Sequence, residues 1–194
     1  MHVLAEQRST PPAAPASRSE ERFLALYDEL SPMVFRMARR LGVPDEALDD
    51  VVQEIFVVVH RRLPDFAARS SPRTWVTGIA LRVVQGFRRG ARRRLARIEP
   101  TADVDAYPVH AHGPEAEAER GEAVAFLRAF LDALDDGKRT AFVLCELEQL
   151  TAPEIAEATG ANLNTVYARI RAARRLFEDA IAHRRAPREG GVDE

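Results

Sequence analysis

The chain has 194 residues, with 28 Lys and Arg against 30 Asp and Glu and a formal net charge of -2, which is room for one domain or for two small ones on a tether. Its single cysteine, Cys145, excludes an intramolecular disulfide framework, and no apolar run approaches the roughly 20 residues that a membrane span requires. A soluble, cytoplasmic protein without membrane insertion is therefore expected.

Near-neutral charge argues against a nucleic-acid binder only until the charges are located. Acid gathers in Glu20, Glu21, Asp28 and Glu29 and in segments 45–54 and 115–122, whereas base gathers in 82–97 and 169–175. The basic stripes suit phosphate. The acidic faces repel it and are expected to meet solvent or a basic protein surface.

In chain order, residues 1–19 form an Ala/Pro/Ser head with Pro11, Pro12 and Pro15. Arg8 and Arg18 have no apolar core between them, so the segment reads as a disordered tail and not as a secretory signal. Phe23, Leu26, Tyr27, Leu30, Val34, Met37 and Leu41 then recur at three- and four-residue steps, predicting one amphipathic helix, bent at Pro32 and stopped by Gly42. Pro44 and Asp45 open a second helix with Leu48, Val51, Val52, Ile55, Val59 and Leu63 as its buried stripe, ended by Pro64. A third begins at Ser71, the predicted N-cap, with Pro72 in its first turn and Val76, Ile79, Ala80, Val83 and Phe87 facing inward. No alternating strand pattern competes, so the chain is predicted to be all-α.

Two features of this helical trio exceed what folding needs. Asp50, Gln53 and Glu54 stand at i, i+3 and i+4 beside Val57 and Val58, a pattern shared by docking faces and by ordinary solvated helix sides. Arg73, Trp75, Arg82, Arg88 and Arg89 combine cations with an aromatic, as single-stranded nucleic acid requires. The spacing of Trp75 to Ile79 and Val83 fits a core residue equally well.

A segment with Pro100, Pro108, Gly113 and Pro114 follows and reads as a tether, residues 98–119. Residues 151–177, TAPEIAEATGANLNTVYARIRAARRLF, then predict two helices joined by a tight turn. Ile155, Ala156, Val166 and Ile170 fall where crossing helices bury side chains, Gly160 where the chain leaves the first helix through a left-handed turn, and Asn162 where it caps the second. Asn164, Thr165, Tyr167, Ala168 and Arg171 are left to a major groove. The chain is expected to fray from Gly190 onward.

Together these segments resemble the extracytoplasmic-function type of bacterial RNA polymerase sigma factor, of the sigma-70 family. DDVVQEIF (49–56) resembles the family's second-region helix, RSSPRTWVTGIA (69–80) its promoter-melting segment, and LDALDDGKRTAFVLCELEQLTAPEIAEATG (131–160) its fourth region. The resemblance implies two small helical domains, region 2 at 20–97 and region 4 at 120–186, joined by a flexible linker and followed by a tail, 187–194. It implies that Asp50, Gln53 and Glu54 dock on a coiled coil of core RNA polymerase. The loop of Phe66, Arg69, Ser70 and Ser71 would hold a flipped base of the opened minus-ten element. Arg73, Trp75 and Arg82 would lie along that element, with Arg88 and Arg89 on phosphate. In the minus-thirty-five duplex, Tyr167, Ala168, Arg171 and Ala172 would face bases, flanked by Asn164 and Thr165, with Arg169, Arg174 and Arg175 on phosphates. Partners implied are core polymerase, duplex and melted promoter DNA, and an anti-sigma factor. The alternative is a stand-alone helix-turn-helix regulator.

Three positions depart from the family pattern. Leu81-Arg82 replaces a common Arg-Asn, Gly86 replaces a common aspartate, and Asp135-Asp136-Gly137 replaces a Pro-Glu-Lys type of junction. Catalytic chemistry is not expected: His60 lacks the partners of a triad, His110 and His112 lack two further metal ligands, and no glycine-rich phosphate loop is present. No cofactor is implied.

Overall fold

The computed structural model describes residues 15–95 and 116–185. Among these the chain is helical and strand-free: α1 (Pro15–Arg40), α2 (Asp45–Arg62), α3 (Pro72–Leu95), α4 (Ala116–Ala133), α5 (Asp136–Phe142), α6 (Ala152–Thr159) and α7 (Leu163–Arg185). A 3-10 turn, Leu63–Asp65, follows α2, and α5 runs into a π-helical turn, Val143–Leu147. The expectations for residues 1–14, the tether from 98 to 115, His110, His112 and the C-terminal end lie outside the described residues.

Both modules contain more helix than composition suggests. α1 starts at Pro15, inside the head read as a tail, because proline suits a first helical turn. α4 starts at Ala116, inside the segment assigned to the tether, where AEAERGEA is rich in strong helix formers. Pro32 does not end α1. Pro32 and Asp28, the residue whose carbonyl loses its partner, both lie on the exposed side, where water can serve that carbonyl.

α1 ends through a left-handed glycine, as its sequence predicts. Gly42 has φ +88°, its N–H donates to the Arg39 carbonyl at 3.0 Å, and the Val43 N–H donates to the Ala38 carbonyl at 3.1 Å. This pair of backward bonds satisfies the last carbonyls, and the buried Ala38 and Val43 sit on either side of the turn. The first module packs α2 against α1 and α3, with Val34, Met37, Ile55, Val59 and Val76 among its fully enclosed side chains. The second packs α5 and α6 on α7, held at its far end by Phe130, Phe142 and Phe177, whose ring centroids lie 4.9 to 5.3 Å apart.

α3 corrects the predicted stripe. Val76, Ile79 and Ala80 are buried, but Val84 takes the deep position while Val83 and Phe87 are only half-buried. Thr74, Thr77 and Leu81 are buried as well, so α3 is enclosed around most of its circumference. One side rests on α1 and α2, and the other on α6 of the second module. The two modules therefore meet, at Gly78, where a Cβ would stand 3.2 Å from the Ala158 carbonyl oxygen.

Gly42→Ala is expected to destabilise the first module by roughly 1–2 kcal/mol, the penalty of a left-handed L-residue. A urea titration should show a lower midpoint with unchanged slope; an unchanged midpoint would contradict the assigned turn.

Candidate nucleic-acid interface

The second module carries its strongest local signals at the two ends of α6. At the start, the Thr151 N–H donates to Glu154 Oε2 at 2.8 Å, the Thr151 hydroxyl donates to the same oxygen at 2.7 Å, and that hydroxyl accepts the Glu154 N–H at 3.5 Å. This reciprocal box satisfies backbone donors that the first turn leaves unpaired. The hydrogen bonds, led by the Thr151 backbone, hold the Glu154 carboxyl below its ordinary value of 4.5. At the far end Gly160 has φ +68°, and Asn162 caps α7, its Oδ1 accepting the Asn164 N–H at 2.8 Å and its carbonyl the Val166 N–H at 3.0 Å. Ile155, Val166 and Ile170 are buried between the helices and Ala156 is half-buried, so the exit angle of α7 follows from packing.

The outer face of α7 is then open. Asn164, Thr165, Tyr167, Ala168, Arg171 and Arg175 are exposed, and Ala172 is half-buried. Tyr167, Arg171, Arg174, Arg175 and Glu178 border a shallow groove over Ile170. Arg174 is turned aside: its Nε donates to Glu146 Oε1 at 2.8 Å, and a second nitrogen reaches the Cys145 sulfur at 3.7 Å. Arg169, although exposed, lies over Gly137, where an added Cβ would meet its Nε at 3.0 Å. Cys145 is half-buried in the π-helical turn, and burial pushes its thiol up, away from the reactive thiolate.

On the first module Asp50, Gln53 and Glu54 are all exposed along α2. Beside them runs an apolar groove between α1 and α2, lined by Phe23, Tyr27, Phe35, Phe56 and Val57 among others. His60 closes one end, edge-on to Phe23 with ring centroids 4.9 Å apart. The helical stripes point to the groove's walls, but its opening is set by how α1 and α2 cross.

The loop before α3 bends through Ala68, at φ +51°. Phe66 stacks on Trp75 with centroids 4.7 Å apart, so Trp75 is neither wholly core nor wholly exposed. Ser71 caps α3 as expected, its Oγ accepting the Thr74 N–H at 3.0 Å. Arg69, Arg82 and Arg89 are exposed and Ser70 is half-buried. Two other candidates make contacts with the second module, Arg73 while still exposed and Arg88 half-buried. Arg73 donates to the backbone carbonyl of Glu148, and Arg88 pairs with Asp136 at 2.7 Å, joined there by Arg92 at 3.2 Å.

Two acidic residues that the sequence did not mark as site residues thus organise the contact between modules. The Glu148 side chain is 1% exposed, paired with Arg40 at 2.7 Å and with Arg36 at 3.9 Å. Asp136 is the middle residue of a departure from the family pattern. Leu81, another departure, is 2% exposed against the pattern's arginine. No local signal marks Glu148, because its partners lie far upstream, Arg73 by 75 residues and Arg40 by 108.

Comparison with known proteins agrees with this geometry. Residues 26–94 match the sigma-70 region 2 family and residues 127–177 the sigma-70 region 4 family. The chain is 32% identical over 163 residues to the ECF RNA polymerase sigma factor SigE of Mycolicibacterium smegmatis, covering 80% of this chain and 62% of that one. It is 31% identical over 168 residues to the RNA polymerase sigma factor CnrH of Cupriavidus metallidurans, covering 84% and 87%. The structure of CnrH with the cytosolic domain of CnrY superposes with a TM-score of 0.62 at 26% identity, covering 87% of this chain and 95% of CnrH. RpoE of Bartonella quintana, solved with the anti-sigma factor NepR, has the same fold, with a TM-score of 0.65 at 16% identity over 86% and 98% of the two chains. The chain belongs to the sigma-70 family of RNA polymerase sigma factors, in its extracytoplasmic-function branch.

A depressed carboxyl contributes stability that is complete above its unfolded pKa and disappears as pH falls through the folded one. Thermal midpoints should therefore decline as pH drops below about 4.5. Glu154→Gln should show a shallower decline over the same range; identical slopes would remove the capping box from the account.

Proposed function

We propose that this sigma factor divides initiation between its modules, in the cytoplasm and without catalytic chemistry of its own. Asp50, Gln53 and Glu54, with the apolar groove beside them, dock on core RNA polymerase. Acid beside an apolar slot suits a basic, partly apolar helix pair. Phe66 and Trp75 form the floor of a pocket for a base flipped from the minus-ten element, with Arg69, Ser70 and Ser71 at its rim and Arg73, Arg82, Arg88 and Arg89 along the backbone. Capturing that base offsets unstacking, which costs a few kcal/mol, so binding and strand opening become one process.

α7 reads the minus-thirty-five duplex. Arg171 suits bidentate pairing with guanine, Tyr167, Ala168 and Ala172 offer apolar contact and shape, Asn164 and Thr165 sit at the helix start near the backbone, and Arg169, Arg174 and Arg175 meet phosphates. The observation that carries this reading is the coexistence, on one chain, of a capped helix-turn-helix with an exposed arginine face and an acidic, apolar docking face on α2. An anti-sigma factor is a further proposed partner, supported by the NepR complex of RpoE from Bartonella quintana.

Runoff transcription with purified core polymerase on a genomic promoter library tests the whole assignment. The chain should redirect start sites, whereas a stand-alone regulator would footprint its site without core enzyme and leave start sites unchanged. Arg171→Ala should cost about 1–3 kcal/mol of discrimination at one base pair, read as relaxed preference in the library. Reversing Asp50 and Glu54 to lysine should weaken capture of core polymerase while leaving helicity intact; undiminished capture would move the docking face elsewhere.

A further inference from the structure

We propose that Gly86 is a positioning residue for promoter DNA: a bare point on α3 where the sugar-phosphate backbone comes against the helix, held by the arginines on either side. This rests on the placement of α3 on the minus-ten element and extends it to a residue with no side chain.

Glycine is the weakest helix former after proline, so one in mid-helix calls for a compensating reason. Gly86 lies in the interior of α3, Pro72–Leu95. The left-handed glycines among the described residues are Gly42 and Gly160, so no positive φ requires it. Packing does not require it either. A Cβ on Gly78 would press on the Ala158 carbonyl oxygen, but a Cβ on Gly86 meets nothing within 4 Å among the described residues, chain neighbours and the helix backbone aside. The bareness of Gly86 therefore serves nothing within the described fold.

Its surroundings face outward. Arg82, Arg89 and Arg93 stand at i−4, i+3 and i+7 from Gly86, the spacing of one helical face, and all three are exposed. Trp75, with Phe66 stacked on it, opens the same face. Arg88 and Arg92 lie on the adjoining side and pair with Asp136 at 2.7 and 3.2 Å. The arginines beside Gly86 have no carboxylate partner among the described residues, and Arg93 donates to the Arg89 carbonyl at 3.3 Å. Three cations without counter-ions around a bare position fit a polyanion. Between Arg82 and Arg93 this face offers a protein partner no large apolar side chain to bury.

The dimensions agree. With side chains a helix is about 10–12 Å across, and its Cα atoms lie about 2.3 Å from the axis, so a bare position among arginines is a notch of roughly 3 Å. At about 1.5 Å per residue, Gly86 stands roughly 16 Å along α3 from Trp75, which is about five nucleotide steps of about 3.4 Å. A strand whose flipped base rests near Trp75 thus passes its backbone over Gly86, where Arg82 and Arg89 hold neighbouring phosphates. A side chain in the notch lengthens both ionic contacts at once.

The test assembles holoenzyme from core polymerase and the full-length chain as wild type, Gly86→Ala, Gly86→Leu, the double variant Arg82→Ala with Arg89→Ala, and Gly121→Ala. Gly121, on α4, is a helical glycine with equally open surroundings and serves as the control. Thermal midpoints of the free chains should rise in both Gly86 variants, because alanine and leucine are stronger helix formers. Affinity for a promoter fragment selected in the runoff library should fall about threefold with Gly86→Ala and about tenfold with Gly86→Leu, and stay unchanged with Gly121→Ala. A merely structural glycine does not give a midpoint that rises while DNA affinity falls. A methylphosphonate at the phosphate about five nucleotides from the flipped base should weaken wild-type binding and add little to the loss in Gly86→Leu. Full affinity in Gly86→Leu, with the arginine variant impaired, overturns the notch alone; full affinity in both overturns the placement of α3 on the minus-ten element. A lowered midpoint assigns Gly86 to the fold, and weaker capture of core polymerase by Gly86→Leu assigns the face to a protein; either outcome overturns the proposal.

Discussion

Between Thr74 and Leu81 α3 is enclosed on two sides, and the rest of the molecule is arranged around that enclosure. α1 and α2 cover one side with the apolar stripe of the first module, and α6 covers the other across the Gly78 and Ala158 backbones. A helix has a limited circumference. Whatever is placed against the second side excludes other occupants.

Charge follows the same economy of surface. A net charge of -2 conceals arginine stripes on α3 and α7, and part of the balancing acid meets those stripes within the molecule itself. Asp136 and Glu148 neutralise arginines of the first module, and Glu146 holds Arg174. Arg139 shows the limit of such pairing. It is 5% exposed, bonded to Asp132 at 3.1 Å while its Nε has no partner, and burial, together with the nearby Arg88, weakens its hold on its proton. The seam between modules is thus rich in charge and, at Arg139, incompletely satisfied, unlike the apolar interior of either module.

Local chemistry was legible wherever a residue acts on its immediate neighbours. Gly42 and Gly160 end their helices through positive φ, Ser71 and Asn162 cap theirs, and the stripe from Leu48 to Leu63 is buried as its spacing implies. Periodicity also located the arginine face of α7. It failed on α3, where Thr74, Thr77 and Leu81 are buried outside the expected stripe, because a 3.6-residue pattern reports one apolar face and α3 has two covered sides. The start of α1 at Pro15 was missed for a different reason: a proline that opens a helix has the same composition as one in a tail.

The amino-acid sequence by itself therefore marked α2, α3, α6 and α7, the glycine turns that end α1 and α6, and the family, since each depends on short-range spacing or on motifs read in order. The partners of Glu148, Arg73, Arg88 and Asp136 were decided only by tertiary structure. Opposite charges far apart in a chain carry no mark of which will meet; that depends on where the backbones come to rest, and here on a glycine small enough to let α6 approach α3.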